Sequence, residues 1–165
     1  MDKSRYADLF RTESREQLAA LNRALLALEQ GEPMREPVDA IFRGVHTIKG
    51  MSATMGYSAV AEFSHELESL LDRVRTGEQG LTAELMDALF AAADALEDGI
   101  EGAREDDAMS PDMKRVLERL LQLDRRQVRH RGGAHFFRGA PYDRFPFCRV
   151  ERGGQWDGAR DGGAA

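Results

Sequence analysis

His46 stands three residues before Lys49 and four before Gly50, in a stretch whose apolar residues recur at helical spacing. On a helix those offsets share a face, so an ammonium flanks the imidazole and the next turn carries no side chain. Such surroundings suit an imidazole that carries a phosphoryl group, because the cation screens its charge and the bare turn lets a partner protein come close. Attack on phosphorus needs an unprotonated ring nitrogen, and an imidazole with a pKa of about 6.5 is mostly neutral at pH 7. One tautomer must still be chosen. A carboxylate accepting the Nδ1 proton leaves the Nε2 lone pair facing outward and offsets the positive charge that grows on the ring during attack. Glu68 is the candidate. It lies one turn after His65, and antiparallel packing through a turn at Gly56 can bring both opposite His46 and Lys49.

Each residue also has an ordinary explanation when taken alone. A surface histidine, a helical glutamate and a lysine near a helix end are usually just solvated, and His65 reads as a half-buried polar residue. Gly50 calls for a reason, since glycine in mid-helix costs about 1 kcal/mol against alanine. Close approach of a partner supplies one. The extended Met51 beside it either narrows that approach or widens an apolar docking patch, while Met51 and Met55 read more simply as bundle packing. His130, His135 and Cys148 form no metal-binding spacing.

Taken together, His46 with Ile48, Lys49 and Gly50, the run from Ala53 to Tyr57, and His65 with Glu68, Leu70, Leu71 and Asp72 resemble the histidine phosphotransfer (HPt) domain at the N-terminus of CheA-type chemotaxis kinases. The likeness covers about residues 5 to 125. It implies that His46 accepts a phosphoryl group from a kinase ATP-binding domain and passes it to an aspartate of a response-regulator receiver domain. Glu68, Lys49 and His65 would support the phosphorylated ring, and Gly50 with Met51 would form the docking surface. The family commonly has a small residue where Met51 stands, which bears on the choice of partner. The chain has no Gly-rich phosphate loop, so ATP would act only through a separate kinase domain, no cofactor is implied here, and the chain reads as a phosphoryl carrier cut from a CheA-type kinase. Two alternatives come from other classes. One is a plain helical interaction bundle; the other is a metal-binding helical bundle using His46, His65 and nearby carboxylates, for which the chain offers one reversed His65-x-x-Glu68 where a di-metal bundle wants two Glu-x-x-His.

The elements that must position these residues are all helical. A first helix from about Ser4 to Gln30 places Tyr6, Leu9, Phe10, Leu18, Leu21, Leu25 and Leu28 on one stripe and stops at Gly31 and Pro33. A second, from about Pro37 to Met55, buries Val38, Ile41, Phe42, Val45, Ile48, Ser52 and Met55, with Gly56 as its end. His46 falls about 100° around from that stripe, on the rim of the core. A third opens at Ser58 as N-cap and runs to about Thr76 with Val60, Phe63, Leu67, Leu70, Leu71 and Val74 inward. A Thr82 cap starts a fourth, which carries Leu85, Leu89, Ala92, Ala93, Leu96 and Ile100 to about Arg104. Ser110 and Pro111 begin a fifth with Met113, Val116, Leu117, Leu120 and Leu121. No alternating strand pattern competes, so the sequence predicts an all-α antiparallel four-helix bundle with a fifth C-terminal helix.

Charge divides the chain. Residues 1–124 hold 14 Lys and Arg against 25 Asp and Glu, net −11, and residues 125–165 hold 9 against 4, net +5. An acidic front domain argues against nucleic acid as its ligand and points to protein partners. The tail has no Leu, Ile, Met or Lys, and 8 of the 16 glycines lie in it, so it cannot offset its ordering entropy. The division predicted is a phosphotransfer domain over 1–125 and a disordered Arg/Gly-rich tail over 126–165. Arginine interleaved with Phe136, Phe137, Tyr142, Phe145, Phe147 and Trp156 could stack on single-stranded nucleic acid, but the same composition arises from out-of-frame translation of a GC-rich gene. With no apolar stretch of about 18 residues, no signal-peptide core after Met1 and a single Cys148, the sequence predicts a cytoplasmic protein away from the membrane.

Overall fold

A computed structural model describes residues 3–105 and 107–130. Among the described residues five helices follow one another: α1 (Lys3–Glu29), α2 (Arg35–Met55), α3 (Ser58–Arg75), α4 (Ala83–Glu101) and α5 (Pro111–His130). α2 packs against α1 and α3, and α4 closes the ring by packing on both α1 and α3. Short connections make consecutive helices antiparallel, which gives a four-helix bundle. α5 lies outside it, against α4 and α3. The predicted Arg/Gly-rich tail lies outside the described residues.

One core runs through the bundle. Leu25, Val45, Ile48, Phe63, Leu85, Leu96 and Ile100 are fully buried, and each belongs to the periodic stripe of its helix. The turn between α2 and α3 is the tightest joint. Gly56 takes a left-handed φ of 72°, its N–H and that of Tyr57 donate to the Ala53 and Ser52 carbonyls, and α3 begins one residue later. Tyr57 is buried there with its ring edge-on to Phe10 of α1 at 4.8 Å. This anchored hairpin fixes the register of α2 against α3, and so the register of His46 against Glu68.

The structure departs from the sequence reading at several points. Ser58 is the first residue of α3, not its cap; Tyr57 holds the cap position without a side-chain hydrogen bond, because the Gly56 turn leaves room for a single residue. Thr82 does cap α4, accepting from Leu85 N–H at 3.1 Å, and Ser110 accepts from Met113 N–H at 3.2 Å to start α5. α4 stops at Glu101 rather than near Arg104, with Gly102 as its C-cap. Tyr6 and Leu9 are 48% and 55% exposed. At 27 residues α1 is longer than the 21 of α2 and the 19 of α4, so its first turns overhang the bundle. Phe42 and Met55 of α2 are half-buried, and so are Val116, Leu117 and Leu121, because α5 is covered from one side only. Charge pairs clamp the outside: Arg15 of α1 reaches Glu101 of α4 at 2.6 and 2.8 Å, and Arg73 of α3 reaches Asp124 of α5.

Candidate functional site

The α2–α3 hairpin brings His46, Lys49 and Glu68 into one cluster. His46 Nδ1 lies 2.8 Å from Glu68 Oε1, and Lys49 Nζ lies 2.5 Å from Glu68 Oε2. Glu68 therefore bridges two side chains of the opposite helix that are one turn apart. Its side chain is 15% exposed, while that of His46 is 60% exposed. Burial alone pushes the Glu68 carboxyl up, but the hydrogen bonds and charges of Lys49 and His46 outweigh it and hold the group below the usual carboxylate range. Oε2 is sealed from solvent and is paired with the Lys49 ammonium.

An ionised carboxylate has no proton to donate, so the Nδ1 facing it must carry one. In the neutral ring this selects the Nδ1–H tautomer, which leaves the lone pair on Nε2, and the side chain as a whole is mostly exposed. The cluster can do nucleophilic chemistry at Nε2 without moving a proton. As a nucleophile attacks through Nε2 the ring becomes cationic, and Glu68 already stands at the nitrogen where that charge is shared.

The other residues singled out in the sequence take different places. Lys49 neutralises Glu68 rather than standing free beside the ring. His65 has a different charged neighbour: its Nδ1 lies 3.5 Å from Glu66 Oε1, and its side chain is 63% exposed. Gly50 is exposed, and a Cβ built there meets nothing within 4 Å, so nothing inside the fold requires a glycine. Met51 is half-buried and packs against the core. Phe42, a core residue by its periodicity, also has its ring 6.3 Å from the His46 ring at 17°, with the Arg75 guanidinium 4.3 Å over its face. The i−4 spacing of Phe42 from His46 carried that signal. Among the described residues no group of three or more His, Cys, Asp or Glu is placed to hold a metal ion, and no helix is long and apolar enough to cross a membrane.

The chain is similar to known proteins in sequence and in fold. The Hpt domain family matches residues 5–106. The chemotaxis protein CheA of Bacillus subtilis is 44% identical over an alignment of 112 residues that covers 64% of this chain and 17% of that protein. CheA of Listeria monocytogenes is 38% identical over 116 residues, 70% of this chain and 19% of that one. The chain thus spans less than a fifth of the length of these relatives. Among solved structures, the phosphorylated P1 domain of CheA3 in complex with CheY6 from R. sphaeroides superposes with a TM-score of 0.66 at 28% identity, covering 74% of this chain and 97% of that one. The CheA phosphotransferase domain from Thermotoga maritima gives 0.57 at 37% identity, covering 61% and 95%.

Proposed function

Because the chain belongs to the Hpt domain family, we propose that His46 is its phosphoacceptor and that Nε2 is the atom that carries the phosphoryl group. The observation that carries this reading is the 2.8 Å contact from His46 Nδ1 to a covered, ionised Glu68 on a ring that is otherwise exposed. In the step proposed, the Nε2 lone pair forms the N–P bond as the bond from phosphorus to the ADP oxygen breaks. Nδ1 keeps its proton, the ring becomes an imidazolium, and Glu68 stabilises it. Transfer onward reverses this: an aspartate oxygen bonds to phosphorus, the N–P bond breaks, and the ring returns to neutral. ATP would be bound by a kinase domain outside this chain. Lys49 keeps the Glu68 carboxylate charged while the site is empty, and Gly50 leaves the approach to Nε2 open.

The partners proposed are that kinase ATP-binding domain and a response-regulator receiver domain. Support for the second is the relative solved as a phosphorylated P1 domain together with CheY6. The test is a chase: the chain is labelled with phosphate by a CheA-type kinase domain and ATP, freed of nucleotide, and mixed with a chemotaxis receiver domain. The label should leave the chain and appear on the regulator. Label that stays on the chain would count against a relay role.

A further inference from the structure

A single hydrogen bond through Nδ1 fixes where one corner of the His46 ring lies, but it leaves the ring free to swing about the Nδ1···Oε1 line. In-line attack requires the Nε2 lone pair, which lies in the ring plane, to point at phosphorus, so that swing has to be limited. Phe42, one turn back on α2, lies nearly parallel to the imidazole at 17° and 6.3 Å between centroids. Phe42 is half-buried and has its own anchor, the Arg75 guanidinium 4.3 Å over its ring. Arg75 in turn donates from Nη2 to Asp72 Oδ1 at 2.7 Å. α3 therefore holds His46 from two directions: at the edge through Glu68, and across the face through Phe42.

We infer that Arg75 is a positioning residue for His46, acting through the Phe42 ring. The inference rests on the phosphoacceptor reading above. A purely structural role is the competing explanation, since an arginine in the last turn of α3 suits the negative end of that helix whatever Phe42 does. The two differ in what Arg75 does to the imidazole. A structural role leaves the ring and its reactivity alone; the positioning role alters both.

The test uses the full chain and phosphoramidate, a donor too small to make docking contacts. Nε2 bonds to phosphorus as the bond to the departing ammonia breaks, and Nδ1 keeps its proton. Arg75→Ala should slow phosphorylation about 3-fold, the scale of an exposed cation–π contact. Phe42→Leu should slow it by at least as much, and the double variant should be no slower than Phe42→Leu alone, because the two act in series. Arg75→Lys, whose ammonium can also sit over the ring, should recover most of the rate. In NMR spectra the His46 Hδ2 and Hε1 resonances should shift in Phe42→Leu as the ring current is lost, and in Arg75→Ala as the Phe42 ring moves against the imidazole. Wild-type rates and ring-proton shifts in Arg75→Ala would overturn the inference. So would additive effects of the two substitutions, or a slowing seen with a protein kinase donor and not with phosphoramidate. If the wild-type chain takes no phosphoryl group at His46, the phosphoacceptor reading itself fails, which is visible before any Arg75 variant is made.

Discussion

Arg73 and Asp124 tie α3 to α5 through two N–H···O bonds of 2.9 Å, whereas Glu68 on the same helix divides its oxygens between Lys49 and His46 of α2. The two carboxylates are equally covered, each 15% exposed. Burial does not separate structure from chemistry here; the partners do. Arg73 meets Asp124 fork to fork, and both oxygens of the carboxylate are taken by one always-charged group. Glu68 instead engages a ring that has a second nitrogen, so the pairing prepares Nε2 instead of ending in a closed contact. A charge pair that exhausts its partners is a clamp, and one that leaves a lone pair open on an exposed ring is a site.

The comparison breaks most severely at Glu68. Glu68→Gln removes the charge that fixes the tautomer and offsets the growing imidazolium, so the rate of phosphorylation at saturating kinase should fall by about 10²-fold while the helical circular dichroism stays unchanged. An unchanged rate would return Glu68 to the status of Asp124. The converse substitution, Arg73→Ala, leaves a mostly covered carboxylate without its fork and should cost about 1–2 kcal/mol, a drop of about 5 °C in Tm, with phosphorylation at the wild-type rate. A matching loss of rate would mean that the clamp and the site are coupled through α3.

Acid sharpens the contrast more gently. The Glu68 carboxyl sits below its ordinary value in the fold, so its contribution to stability is fully present at neutral pH, above the unfolded value of about 4.3, and is lost as pH falls through the lower folded value. Glu68→Gln has no such proton to take up. Denaturant midpoints measured from pH 7 downward should therefore fall more steeply for the wild type than for Glu68→Gln, and parallel curves would contradict the direction given. The smallest effect belongs to the tail. Truncation after Gln127 should leave Tm and phosphorylation rate nearly unchanged, because few aliphatic side chains follow. A marked drop in Tm would place Phe136 to Phe147 among the packing residues.

The sequence showed the hairpin more clearly than its surroundings. Gly56, Thr82 and Ser110 mark joints by local chemistry, and the α3 and α4 stripes are buried in full, because helical periodicity is itself local. The exposure of Tyr6 and Leu9 depends on the lengths of other helices, which no period within α1 contains. Arg15 and Glu101 are 86 residues apart, and Arg73 and Asp124 are 51 apart, so their pairing follows only from the packed bundle. Within the site, His46 and Glu68 could be paired from the turn between them, whereas Lys49 read as a screen for phosphate because its contact with Glu68 depends on how the two helices rotate against each other. The stack of Arg75 on Phe42 stayed hidden for the same reason.

If His46 is the phosphoacceptor, it alone takes up the phosphoryl group. The most direct test compares the wild-type chain with His46→Gln after incubation with a CheA-type kinase domain and labelled ATP, reading acid-labile label per chain beside the Tm of each. The wild type should carry one labile phosphoryl group and His46→Gln none, with similar Tm values because the side chain is largely exposed. Label retained at full level by His46→Gln, on His65 or anywhere else, would contradict it.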